Sequence, residues 1–418
     1  MSFPDPMLVQ AIEKHRAGRT GEARAMYQRI LRRRPNDGDA LNFLGMLEFQ
    51  AGGPDGRARG IELLQRSVRS LPGNPHAWTN LGNMLMDVGD PDGAVQAYCR
   101  ATELAPDLWQ AWFNRATCLR RMHRVEEAME CLSTAIRLKP DHDIAYERLG
   151  LLLYRAGRTR ELADLYRNWV SYNPSNPTAR HLYAAAAGES VPDRASDDYV
   201  RTTFDDFAER FDENLIDLGY RAPQLVAEAV RRHRPVRDGT YRDRVLDAGA
   251  GTGLCGLLLR ADAGRLDAVD LSGGMLAKAR ARGIYDELVE MELCAFMRQR
   301  PGTYDVIVSA DTYVYFGALE EPLEAVRACL RADGLLVFTV EHWSAADSVA
   351  GFRMSPHGRY LHAPGYVGAA LRGAGFAPLE IAPVVLRSEL GTDVEGLLVA
   401  AVPAERGLTS TRDPDPAQ

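Results

Sequence analysis

Prolines at residues 72, 106, 140 and 174 stand at successive steps of 34, and Pro35 precedes the first of them by 37. The three extra residues lie in the loop-like stretch "AGGPDGRARG". Six residues past each of the first four prolines comes a large apolar residue (Leu41, Trp78, Trp112, Tyr146), and ten past comes a small one (Gly45, Gly82, Ala116, Gly150). Farther along each unit lie Ala94, Tyr98 and Ala101, then Ala128, Leu132 and Ala135. A period of this length constrains the fold strongly, because each unit can bury its apolar face only against its neighbours. Proline ends a helix, a small residue lets two helices approach, and a large one fills the gap between them. Trp78, Trp112 and Tyr146 therefore read as core rather than as ligand contacts.

The pattern resembles the tetratricopeptide repeat, over residues 4 to 187, as five helical hairpins plus a closing helix. That resemblance implies a protein or peptide partner on the concave face. Repeat register puts Asn42, Met46, His76, Thr79, Asn83, Gln110, Phe113, Glu147 and Tyr154 near it. They are mostly neutral, and the basic clamp that family members use for an acidic C-terminus is not evident.

At 418 residues the chain exceeds one ordinary domain, so a second core is expected after the repeats. The net charge of −7 argues against a nucleic-acid-binding face. No stretch approaches the ~20 apolar residues of a membrane span and no targeting segment is evident, so the sequence reads as that of a cytoplasmic protein. Six cysteines form no CxxC pair, which suits reduced core residues and no zinc site.

Periodicity stops in "AAAAGESVPDRASDD", a linker at 188 to 198. The stripe Phe204, Phe207, Ala208, Phe211, Leu215 and Leu218 then predicts an amphipathic helix, either packed in the core or folded over a bound nucleotide as a lid. From residue 244 apolar runs alternate with helical segments, which predicts a doubly wound α/β domain over 199 to 403. Seven strands are read, "RVLDAGA", "RLDAVDL", "ELVEMEL", "YDVIVSA", "GLLVFTV", "LEIAPVVLRSE" and "EGLLVAAV", the last two as an antiparallel hairpin at a sheet edge. Residues 404 to 418 are read as a disordered tail.

In "VLDAGAGTG" the first strand is expected to end at Ala248, with the turn Gly249 to Gly253 and a helix from Leu254. Glycines there permit positive φ and a close backbone approach, while a helix start favours an anion. Adenosylmethionine offers an amino acid at that point, its carboxylate for the helix start and its ammonium for Asp247, directly or through water. Asp270, ending the second strand, suits ribose hydroxyls. Gly251, Gly253 and Gly256 also spell the dinucleotide fingerprint, but that reading moves the strand end to Ala250 and buries Asp247 inside the ladder.

A mainly parallel sheet with one reversed strand is the arrangement of class I S-adenosyl-L-methionine-dependent methyltransferases. "DLSGGMLAKAR", "YDVIVSADTYVYFG", "CLRADGLLVFTVE" and "GAGF" are similar to segments of their ubiquinone/menaquinone-type members. With the repeats in front, the chain looks like the bacterial tetratricopeptide-repeat methyltransferases. The resemblance implies a cofactor site of Asp247, Gly249, Gly251, Gly253, Asp270, Leu271, Glu292, Leu293 and Asp311. Glu292, or backbone near Leu293 and Cys294, stands where the family places an adenine-binding aspartate.

The acceptor is expected beyond strands four and five, against Asp311, Thr312, Tyr313, Tyr315, Glu341, His342 and Trp343 with Arg359 close by, while Arg387 and Glu389 either line the pocket or pair with each other. His342 is the first choice for a general base, with His362 and Tyr360 next; solvated loop histidines are the bland alternative. The Asp/Asn-Pro-Pro-aromatic signature of adenine and glutamine N-methyltransferases is absent, which disfavours those acceptors. Two other functions stay open: a repeat scaffold with an inactive nucleotide fold, and an NAD(P)-dependent oxidoreductase.

Overall fold

The computed structural model describes residues 5–235, 243–344, 351–389 and 392–404. The expected tail, apart from Ala404, lies outside them. The chain divides into two compact units, Met1–Asn173 and Pro174–Gln418.

The first unit is five antiparallel helix pairs: α1 (Pro6–Arg16) with α2 (Thr20–Arg33), α3 (Gly38–Gln50) with α4 (Gly53–Ser70), α5 (Pro75–Asp87) with α6 (Pro91–Leu104), α7 (Trp109–Arg121) with α8 (Val125–Leu138), and α9 (Asp143–Arg155) with α10 (Thr159–Tyr172). Each second helix ends two residues before its proline, as the period demands. The small positions act as expected: a Cβ on Gly82 would lie 2.6 Å from the Tyr98 ring, and one on Gly45 3.0 Å from the Gly60 carbonyl oxygen. Trp78 and Trp112 are half-buried rather than core, and donate their indole N–H to the carbonyls of Pro72 and Pro106 at 2.9 and 3.0 Å, which satisfies a chain-turning carbonyl in each unit. Tyr146 is fully buried and stacks on Trp169 at 5.3 Å.

The second unit opens with α11 (Pro177–Ala187), the segment expected to close the repeats. Its His181 is buried, stacks on Tyr199 at 3.8 Å and lies 2.7 Å from the Gly358 carbonyl. Burial lowers the imidazole pKa, so the ring is neutral and donates Nε2–H to that carbonyl. The expected long amphipathic helix is broken. It runs as α12 (Asp197–Phe207), a 3₁₀ turn at Ala208–Arg210, and α13 (Phe211–Asp217), because the turn tucks Ala208 against Gly274.

After α14 (Ala222–His233) come β1 (Arg244–Ala248), α15 (Leu254–Leu259), β2 (Arg265–Asp270), α16 (Gly273–Arg282), β3 (Glu287–Glu290), α17 (Leu293–Arg298), β4 (Tyr304–Ser309), α18 (Glu320–Cys329) and β5 (Leu330–His342). Then follow β6 (Phe352–Met354), β7 (Tyr360–His362), α19 (Pro364–Gly373), β8 (Phe376–Glu389) and β9 (Thr392–Pro403). The order β3-β2-β1-β4-β5 is parallel; β9 joins β5 antiparallel and β8 closes the edge as the expected hairpin. The sheet has nine strands rather than seven. The two extra ones, β6 and β7, form a short hairpin whose second arm pairs parallel with Glu341 and His342 at the end of β5.

Period-two alternation sends Leu246, Ile307, Leu336 and Phe338 into one core and Val245, Val306, Val308, Leu335 and Val337 into the other. Both faces of the sheet are covered, which leaves its carboxyl end as the open side.

Candidate functional site

At that end β1 stops at Ala248 and the chain turns through Gly249, Gly251 and Gly253 at φ +77°, +55° and +90°, a conformation that costs glycine no strain. A side chain at Gly249 would collide with Thr312, so the turn and the segment after β4 can meet only because it is glycine. Asp270 pins the turn from β2. Its carboxylate accepts the Gly251 N–H at 2.8 Å and the Ser272 N–H at 2.9 Å.

Between these segments lies a cleft of about 780 Å³, mouth included. Gly249, Gly251, Asp270, Leu271, Glu292 and Leu293 form its floor and one end. Val200, Phe204 and Phe211 cover it, and Asp311, Thr312, Tyr315 and Tyr220 close the other end. The cover is held by carboxylates. Asp205 accepts from the Ser272 hydroxyl at 2.6 Å and the Gly274 N–H at 3.0 Å, adding to the N-terminal cap of α16. Asp212 accepts from Thr252 Oγ1 at 2.6 Å and pairs with Arg282. Phe204 and Phe211 of the aromatic stripe line the cleft, whereas Phe207 is absent from its lining and 40% exposed.

Glu292 lines the cleft as the N-cap of α17, accepting from the N–H groups of Cys294 and Ala295 at 3.0 and 2.7 Å and facing Arg194 at 3.2 Å. Its oxygens are thus largely committed to the protein.

Several expected site residues lie elsewhere. Asp247 does not line the cleft. It shares the sheet face of Val245, is 1% exposed, and accepts a 2.6 Å hydrogen bond from the Tyr285 hydroxyl. Burial raises its pKa to about 6 against that bond, so it is a buried structural acid. Gly253 starts α15 and packs under Tyr285, away from the cleft. Tyr313 is fully buried against Phe338 at 5.0 Å.

The three candidates for a base all miss the cleft. His342 ends β5 with Nδ1 3.4 Å from Glu395 of β9. His362 is fully buried, stacked on Tyr366, with Nε2 3.1 Å from the Gly317 carbonyl; burial drives its pKa down to about 4. Tyr360, equally buried, donates to the Pro192 carbonyl at 2.6 Å. The physical reason is the β6–β7 hairpin, which turns residues 360 to 362 into sheet instead of a polar loop.

Arg359 and Arg387 do not line the cleft either, but they reach its wall from behind. Arg387, 4% exposed, donates to Asp311 at 2.9 Å and to Glu389 at 2.8 Å and pairs with Glu341. Arg359 donates to Glu341 at 2.9 Å and to Glu389 at 3.2 Å. Three carboxylates thus surround two guanidiniums, and burial and the Glu341 charge raise the Asp311 pKa to about 7. Arg194 and Tyr220 line the cleft although nothing in their sequence context marks them.

Residues 245–334 match the profile of the methyltransferase domain, and 8–75, 75–108 and 109–142 match tetratricopeptide-repeat profiles. Similar relatives include human methyltransferase-like protein 27 (34% identity; 32% of this chain and 53% of that protein) and the malonyl-acyl-carrier-protein O-methyltransferase of Geobacter sulfurreducens (32%; 25% and 40%). On the repeat side, small glutamine-rich tetratricopeptide repeat-containing protein 2 of Mycosarcoma maydis is 31% identical over 22% of this chain and 26% of its own length. The chain spans 26% to 53% of the length of these three relatives. The fold is an N-terminal tetratricopeptide-repeat array followed by a Rossmann-like class I methyltransferase domain.

Proposed function

We propose that the cleft binds S-adenosyl-L-methionine and that the protein transfers its methyl group to an acceptor entering at the Asp311–Tyr315 end. The observation that carries this reading is the cleft itself: a positive-φ glycine turn that a Cβ would close, an acid at the end of β2, and apolar Leu271, Met275 and Met291 between Asp270 and Glu292. These residues suit the cofactor. Asp270 has lone pairs left for a diol, the apolar side chains suit the faces of a purine, and the Leu293 backbone lies beside Glu292 for its edge. When bound, the cofactor supplies a methyl carbon on a positively charged sulfur. The chain supplies position and dryness: Phe204 and Phe211 keep water from the cleft, and holding two reactants ~3 to 3.5 Å apart can contribute ~7 to 11 kcal/mol.

A dinucleotide suits the turn less well, since β1 ends at Ala248 and not at Ala250. The repeats are proposed to recruit a protein or peptide partner in the cytoplasm. Between successive first helices runs a polar seam, Asn80 donating to Asn42 at 3.0 Å and Asn114 to Asn83 at 2.9 Å, which suits neutral backbone amides.

Incubation with methyl-labelled cofactor and cell lysate, followed by mass spectrometry of proteins and small molecules, tests the proposal. Label transferred to an acceptor supports it. Label in a protein that disappears when residues 1–173 are removed assigns recruitment to the repeats. Cofactor binding with no transfer to any fraction would favour the scaffold reading instead.

A further inference from the structure

The acid at the acceptor end is unusual in three independent ways. Asp311 is a non-glycine residue at φ +55°, two residues past the end of β4. Its backbone N–H donates to Thr339 Oγ1 at 2.9 Å while that hydroxyl donates to its Oδ1 at 3.1 Å, so a buried threonine of β5 clamps both ends of the residue. Its Oδ2 accepts from Arg387 of β8 at 2.9 Å. A carboxylate oxygen has two lone pairs, so these bonds leave one on each oxygen unused, and the residue lines the cleft.

We infer that Asp311 is the catalytic base, taking the proton of a protic acceptor (an amine, a hydroxyl or an acidic carbon), with Arg387 and Thr339 as its positioning residues. The inference rests on the cofactor reading above. The strand order places the acid of β2 and the cap after β3 toward one end of the cleft and the segment after β4 toward the other, past the glycine turn of β1. A ligand with its ribose at Asp270 and its base at Glu292 therefore extends its reacting end toward Asp311. The step balances: the acceptor atom bonds to the methyl carbon, the carbon–sulfur bond breaks with its electron pair going to sulfur, and the acceptor proton passes to Asp311, which later loses it to water.

The surroundings suit that role. Glu341 of β5 and Glu389 of β8 face the acid across the two guanidiniums of Arg387 and Arg359, and His357 is 4.0 Å from Glu341. Burial holds His357 neutral, with a pKa lowered to about 4, so it adds no charge. Tyr315 and Tyr220, which line the cleft with Asp311, have pKa values raised by burial and stay protonated. Ionising all three carboxylates leaves one negative charge in excess over the two guanidiniums, and burial raises the pKa values of both Asp311 and Glu341. Asp311 is the one of the two that lines the cleft.

The test is calorimetric and needs no acceptor. Adenosylhomocysteine lacks the methyl group, whereas sinefungin carries an amine in its place, so the ratio of their affinities reports what faces the methyl position. For the wild-type protein sinefungin should be preferred, and the preference should grow about tenfold or more from pH 5.5 to 7.5 as the acid ionises. Asp311→Asn should reduce that preference roughly ten- to hundredfold and remove its pH dependence, with adenosylhomocysteine affinity within about threefold of wild type. If the variant does not fold, the wild-type titration decides alone: a flat preference overturns the inference. Equal weakening of both ligands, with methylthioadenosine unaffected, also overturns it, placing Asp311 on the amino-acid end of the cofactor. Failure of the wild-type protein to bind either ligand refutes the cofactor reading itself.

Discussion

The stability of Asp247→Asn relative to wild type should rise as pH rises towards neutrality, although the residue sits in the glycine motif where loss of function is the usual expectation. The carboxyl is buried in the face of β1 that also carries Val245, and burial raises its pKa from 3.8 to about 6. Each tenfold change in proton affinity is ~1.4 kcal/mol, so ionising it in place costs about 3 kcal/mol. The sign follows from the direction of the shift. Between about pH 4 and 6 the folded chain keeps a proton that the unfolded chain has released, so this group's contribution to stability is lost as pH rises through that window. Asparagine accepts the Tyr285 hydroxyl equally well and never ionises. Relative to wild type, the variant should therefore gain about 2 kcal/mol between pH 4.5 and 7.5, whatever constant offset the new amide N–H₂ introduces. Native-state hydrogen exchange of the β1 amides at both pH values reads this in the second unit alone. A difference between the two proteins that stays constant with pH within about 0.5 kcal/mol would refute the assignment.

Other perturbations follow from the same geometry. Asp270→Ala removes the acceptor of the Gly251 and Ser272 N–H groups together with the proposed ribose contacts, and should lower adenosylhomocysteine affinity by at least one charge-assisted hydrogen bond, ~1.5 to 3 kcal/mol by calorimetry. Asp212→Asn weakens the contacts of α13 to Thr252 and Arg282; because the Asp212 carboxylate is 42% exposed, we expect only a few-fold faster ligand release in stopped-flow fluorescence. His342→Gln, which touches Glu395 and not the cleft, should change turnover less than threefold once an acceptor is identified, against the ~10²-fold or greater loss expected of a base.

What could be read from the sequence was what depends on local spacing. The proline period gives the hairpins of the first unit because each proline acts on its own helix. The glycine turn was legible for the same reason, down to β1 ending at Ala248. The misplaced residues are those whose position depends on distant partners. Asp247 lies on the wrong face for the cleft because strand alternation, not motif membership, directs its side chain. His362 and Tyr360 looked polar and loop-borne, yet a three-residue strand carries too few positions to show alternation, and pairing with Phe352–Met354 buried both. Arg387, Glu341 and Asp311 come from β8, β5 and the end of β4, and only the closed sheet brings them together. Likewise α11 continues the proline period at Pro174, while the partners of its His181, Tyr199 and Gly358, lie in the second unit.

Titration calorimetry of the intact protein with adenosylhomocysteine and, separately, with NAD⁺ and NADH tests the central claim most directly. The account predicts one adenosylhomocysteine site per chain, weakened by Asp270→Ala, and no saturable dinucleotide binding. Saturable NAD⁺ or NADH binding with none of adenosylhomocysteine would contradict it.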